Sequence, residues 1–165
     1  MSKKKKFSKI FDKFFEKIYR FCYLKTDSQE TAKDLAQEVF LKYWEKIEEV
    51  ENPQSFLYKV ARDLVYDFYR KSKSRQILPL EEALISDCQN LEEKIIRDLE
   101  FERIKKAILL LKPEYQDVLI MHYVEGISLK EIAKILGKKE GTLRVLLFRA
   151  LKALKEKLSQ KNFSV

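Results

Sequence analysis

KKEGTLRVLLFRALKALKEKL, residues 138–158, is the stretch on which the reading of this chain turns. At about 100° per residue, Leu143, Leu147, Ala150, Leu154 and Leu158 fall on one side of a helix. That side is an ordinary packing stripe. The opposite side carries Lys138, Thr142, Val145, Arg149, Lys152 and Glu156, with Arg144 and Phe148 flanking it. Leu147 therefore points in, Val145 points out, and Leu146 and Phe148 lie on the borders. The segment before it, LKEIAKILG, has a capping-box start at Ser128 and Glu131, inward Ile132, Ile135 and Leu136, and a stop at Gly137. A capped short helix, a glycine and a basic helix make a helix-turn-helix pattern. In that arrangement the N-terminal residues of the second helix meet base edges. Thr142 and Val145 then offer methyl contacts to thymine, Glu140 accepts from a cytosine amino group, and Arg149 and Lys152 hold phosphates. Periodicity alone leaves a second reading open, a bundle helix with lysines outside.

Working outward, the pattern stays helical. Ile10, Phe14, Ile18, Phe21 and Cys22 share a face of a first helix. Asp27, with Glu30 three residues on, is the expected N-cap of a second helix whose stripe is Ala32, Leu35, Val39, Tyr43 and Ile47. Asn52-Pro53 opens a third, with Leu57, Val60, Ala61, Leu64 and Phe68 inward. After an irregular stretch with Pro79, a helix beginning near Leu91 ends on Ala107, Leu110 and Leu111 before Pro113. A further segment places Val118, Leu119, His122 and Tyr123 inward and breaks at Glu125-Gly126. The expected fold is all-α: two small helical domains, residues 1–75 and 99–165, joined by a flexible acidic linker over 76–98, the second a helix-turn-helix domain.

Charge follows the same division. The chain carries +8 overall, distributed as +6 over residues 1–75, −4 over 76–98 and +6 over 99–165. Two basic blocks suit a polyanion touched at two places. The third helix shows Lys59, Arg62, Asp63, Tyr66, Tyr69 and Arg70 on its polar face. Cations interleaved with aromatics suit unpaired strands, because rings stack on bases while cations follow the backbone.

Enzymatic chemistry is not expected. His122 is the chain's one histidine, and Gly126, Gly137 and Gly141 all sit at helix boundaries, leaving none for a phosphate-cradling loop. Cys22 and Cys88 form no C-x-x-C, so neither zinc nor a disulfide frame is expected, and no cofactor is called for. MSKKKKF lacks the apolar segment of a secretory signal, and no run reaches membrane-span length. A cytoplasmic protein without membrane insertion is the expectation.

With these motifs in view, the chain resembles the extracytoplasmic-function (ECF) sigma factors of bacterial RNA polymerase from Phe11 to Leu158. KDLAQEVFLKYWEKI is similar to the family's D-x-x-Q-E-x-F motif, with Asp34, Gln37, Glu38 and Phe40 matching. The resemblance implies docking on core RNA polymerase through those four residues, aided by Leu41 and Trp44. SFLYKVARDLVYDFYR is similar to the segment that opens the minus-ten element, implying contacts from Asn52, Lys59, Arg62, Asp63, Tyr66, Asp67 and Arg70. Asp63 departs from the usual asparagine: it lacks the amide's donors and repels phosphate, yet still accepts from cytosine.

Residues 111–154 are similar to the minus-thirty-five reader, implying duplex contacts from Ser128, Lys138, Lys139, Glu140, Thr142, Arg144, Val145, Arg149 and Lys152. Val145 and Leu146 stand where many members have serine and arginine, which shifts weight to methyl contact and to Arg144 and Arg149. The partners so implied are core RNA polymerase, promoter DNA both duplex and single-stranded, and an anti-sigma factor. The competing reading is a dimeric helix-turn-helix regulator that binds an operator without polymerase.

Overall fold

The computed structural model describes residues 1–75 and 92–160; the side chains of 73–75 and 92–98, and all of 76–91 and 161–165, lie outside it. Most of the expected linker, with Pro79 and Cys88, is therefore outside the described residues. The elements are α1 (Lys3–Thr26), α2 (Gln29–Lys46), α3 (Pro53–Arg75), α4 (Glu92–Leu109), α5 (Pro113–Leu119), a π-helical turn (Ile120–Val124), α6 (Leu129–Leu136) and α7 (Glu140–Ser159). No strand occurs among the described residues.

The ends of these helices follow from local chemistry, with one correction. Asp27 is not the N-cap of α2. It takes a left-handed conformation (φ 55°) that closes α1, its N–H donating to the Tyr23 carbonyl, and Ser28 caps α2 by accepting from the Thr31 N–H. Aspartate tolerates that conformation better than most residues, so adjacent cap-forming residues divide the two tasks. The Asp27 carboxylate is thereby free to pair with Lys105 of α4, 2.6 Å away. Asn52 caps α3 through the Ser55 N–H at 3.1 Å, with Pro53 in the first turn. Ser128 caps α6 through the Glu131 N–H at 3.2 Å, and Gly137 (φ 64°) ends it in the left-handed region, where a side chain would be strained.

α1, α2 and α3 bury one seam, with Phe14, Ile18, Phe21, Ala32, Val39, Tyr43, Ile47 and Leu57 all inside. Tyr58 and Val65 are buried as well, widening the α3 stripe beyond its expected members. Cys22 is a core residue, and burial pushes its thiol up to about 12, which keeps it protonated and inert. In the second group Val118, Ile132, Ile135, Leu143, Leu147 and Ala150 pack where α5, α6 and α7 meet. Leu110, expected inward, is exposed because the last turn of α4 loosens ahead of Pro113.

The π-helical turn overturns another expectation. Its Glu125 N–H donates to the Ile120 carbonyl five residues back, at 2.9 Å. The wider turn rotates the register, so Ile120 and Met121 are buried while Tyr123 faces solvent and His122 sits halfway, its Nδ1 within 3.0 Å of the Ile127 carbonyl. The same rotation carries Glu125 into the protein.

The two helical groups pack against each other, α3 on α6 and α1 on α4 and on the π turn. Buried apolar residues of both belong to one continuous cluster.

Candidate nucleic-acid and partner interfaces

Three surfaces collect the candidate residues. On α2, Asp34, Gln37 and Glu38 are exposed in successive turns, giving an anionic strip. Beside it runs an apolar groove formed by Phe7, Phe11, Gln37, Phe40, Leu41 and Trp44. Leu41 stands 64% exposed on its rim, whereas Phe40 is buried and forms its floor, edge-on to Phe11 at 5.1 Å between ring centroids. Phe40 thus shapes the groove rather than offering a free side chain. Trp44 is pinned edge-on by Phe7 at 5.3 Å and covered by the Lys3 ammonium at 4.2 Å. Phe7 and Phe11 were not anticipated here; the i, i+4 spacing of Phe7, Phe11 and Phe15 was the available signal.

On α7 the outer face is open. Thr142, Arg149 and Lys152 are exposed, Val145 is 51% exposed and Phe148 70%, while Leu143, Leu147 and Ala150 are buried beneath them. Glu140 and Arg144 pair along the helix at 3.2 Å, both largely in solvent, so the pair is weak and readily exchanged for a phosphate. Lys138 lies 3.8 Å from Glu114, and Lys139 supplies the extended residue that starts the helix. Ser128 uses its hydroxyl as a cap and lies at the near end of α6. The helix-turn-helix geometry thus keeps Thr142, Arg144, Val145, Arg149 and Lys152 on one accessible side.

On α3 the candidate face is only partly open. Lys59, Asp63 and Tyr66 are exposed, and Asp67 pairs with Arg70 at 3.3 Å. Asn52 is spent on its cap. Arg62, however, donates its Nε to Asp117 of α5 at 2.9 Å. Lys25, at the end of α1, pairs with the other oxygen of the same carboxylate. Tyr69 donates its hydroxyl to the Lys25 carbonyl, and burial, with Asp27 nearby, pushes that phenol up to about 12, so it remains a donor.

Arg62, Tyr66, Tyr69 and Arg70 line one side of a cleft of about 720 Å³ whose other side is Leu109, Leu111, Pro113 and Gln116. Further along, Arg20 holds Glu125 with two parallel bonds of 2.8 and 2.9 Å, and those bonds raise the guanidinium's pKa. Lys105 is buried between Asp27, Glu102 and Tyr23; burial opposes its charge, but these three bonds outweigh it and hold its pKa above the ordinary lysine value. Among the described residues no group of acids, histidines and cysteines is placed to hold a metal ion, and no helix is long and apolar enough to cross a membrane.

The family profile "Sigma-70 region 2" matches residues 10–75, the α1–α3 group, and "Sigma-70, region 4" matches residues 101–154, the α4–α7 group. The chain belongs to the ECF sigma factors. It is 29% identical over 165 residues to the ECF RNA polymerase sigma factor SigW of Bacillus subtilis, covering 92% of this chain and 88% of that protein. It is 27% identical to the ECF RNA polymerase sigma factor BldN of Streptomyces coelicolor, covering 90% of this chain but 58% of BldN. Among solved structures it is similar in fold to RpoE of Bartonella quintana in complex with the anti-sigma factor NepR (TM-score 0.73, 23% identity, 94% of this chain and 98% of that one). It is also similar in fold to CnrH in complex with the cytosolic domain of CnrY (TM-score 0.70, 16% identity, 94% and 89%).

Proposed function

We propose that this ECF sigma factor binds core RNA polymerase in the cytoplasm and directs it to promoters, with the work divided between the two helical groups. Residues 1–75 form the unit for polymerase and the minus-ten element, 76–98 the connection, and 99–165 the unit for the minus-thirty-five element. The two family regions, occurring in that order on two helical groups, carry the reading. The α2 strip and the apolar groove beside it form the polymerase face, with Leu41 and Trp44 as anchors and Asp34 and Glu38 meeting a basic partner. α7 enters the major groove, with Thr142 and Val145 against thymine methyls and Arg149 and Lys152 on phosphates. α3 takes the opened strand, with Tyr66 stacking on a base and Lys59 and Arg70 tracking the backbone. An anti-sigma partner is supported by likeness to chains seen in such complexes. The protein contributes binding energy rather than covalent chemistry.

The experiment is in vitro transcription by core polymerase with this protein on a promoter library. Enrichment of sequences sharing two spaced elements is the expected outcome. Binding to a palindromic duplex without any affinity for core enzyme would sink the proposal and favour a dimeric regulator.

A further inference from the structure

The acids of the second helical group that face the first are satisfied only by the first group's cations. The Asp117 side chain is 3% exposed and lies between Lys25 and Arg62; that of Glu125 is fully buried and is held by Arg20. A buried carboxylate without a partner is strongly unfavourable, so neither acid can keep this position unless the groups are together. Two features of this contact concern strand binding. Asp117 occupies, against Lys25 and Arg62, the position of an anion. The wall of Leu109, Leu111, Pro113 and Gln116 stands over the face of α3 that carries Arg62, Tyr69 and Arg70.

We propose that the free chain holds itself closed, with Asp117 and Glu125 as a two-point clasp, and that in this state the second helical group masks the strand-binding face of α3. Opening frees Arg62 and clears the cleft, so strand affinity is reduced in the free chain by the fraction of molecules that are open. This rests on the reading of α3 as a strand-binding face; the closure itself does not. Gln54 of α3, which donates to Glu131 of α6 at 2.8 Å, is an exposed third contact on the same seam.

The test uses the full chain and three variants: Asp117→Ala/Glu125→Ala, Arg20→Gln, and Glu48→Ala/Glu49→Ala as a charge-matched control on the exposed end of α2. Circular dichroism checks that helix content is kept. X-ray scattering reads the radius of gyration, and fluorescence anisotropy reads affinity for a labelled mixed-sequence single strand. Both clasp variants should expand relative to wild type, and the control should not. The double clasp variant should bind the strand about tenfold more tightly than the control does.

Arg20→Gln is the sharper arm. It removes a positive charge, which by electrostatics alone weakens binding to a polyanion, yet opening should tighten it. Unchanged scattering in both clasp variants overturns the closed state. Expansion with strand affinity equal to the control's, or weaker binding by Arg20→Gln, overturns the masking. If no form binds the strand, masking is overturned too, and transcription with core polymerase decides whether the functional reading falls with it.

Discussion

α3 and α7 are built alike, each with an apolar stripe on one side and cations on the other, but they end in different surroundings. The outer face of α7 meets solvent along its length, with Val145 and Phe148 standing out among exposed cations. The corresponding face of α3 meets Asp117 and the start of α5, and Arg62 is already paired. Amphipathic pattern thus determines which side of a helix is polar, but not whether that side is available. Availability is set by residues remote in sequence.

If the inner faces are equivalent, Leu57→Ala in α3 and Leu143→Ala in α7 should each destabilise the protein by about 2–5 kcal/mol in chemical denaturation, since both side chains are fully buried. A much smaller loss at one of them would show that only one helix is anchored by its stripe. The outer faces should then separate by ligand. Tyr66→Ala, at a ring 67% exposed, should weaken single-strand capture in the polymerase complex by about 1–3 kcal/mol while leaving upstream duplex binding unchanged. Equal losses in the two assays would erase the division between α3 and α7.

Arg149→Ala should lower upstream affinity at every sequence tested and reduce the log–log salt slope by about one, the mark of a single phosphate contact. A constant slope would remove Arg149 from that role. The smallest effect should come from breaking the Glu140–Arg144 pair. Glu140→Gln should change thermal stability by about 0.3–0.5 kcal/mol, because both partners are largely solvated. A larger loss would mean that the start of α7 depends on this pair.

Much of this architecture was legible in the sequence. The stripe Leu143, Leu147 and Ala150, the Ser128 cap and the Gly137 stop all lie within a few turns of one another, where 3.6-residue periodicity and capping chemistry act. The misreadings come from elsewhere. Asp27 and Ser28 are both competent caps, and only the closing geometry of α1 assigns their tasks. His122 and Tyr123 were placed by an α-helical register that the chain abandons at Ile120. Lys25, Lys105, Asp117 and Glu125 look like solvated charges in sequence. They are buried because partners 92, 82 and 105 residues away in the chain neutralise them, and no local pattern announces such pairs. The polymerase groove was half visible: the acidic motif of α2 named Leu41 and Trp44, but its second wall comes from Phe7 and Phe11 on α1.

The π-helical turn deserves its own consequence. A segment that follows α-helical pitch advances about 100° with each residue, so taking out one residue between Ile120 and Val124 would swing everything behind it by that angle. Glu125 would turn away from Arg20 while the α5 core and the α6–Gly137–α7 unit kept their internal packing. The turn works like an indexing notch between two parts: a single-residue deletion there is a way to uncouple the halves of this protein without altering any residue that touches polymerase or DNA.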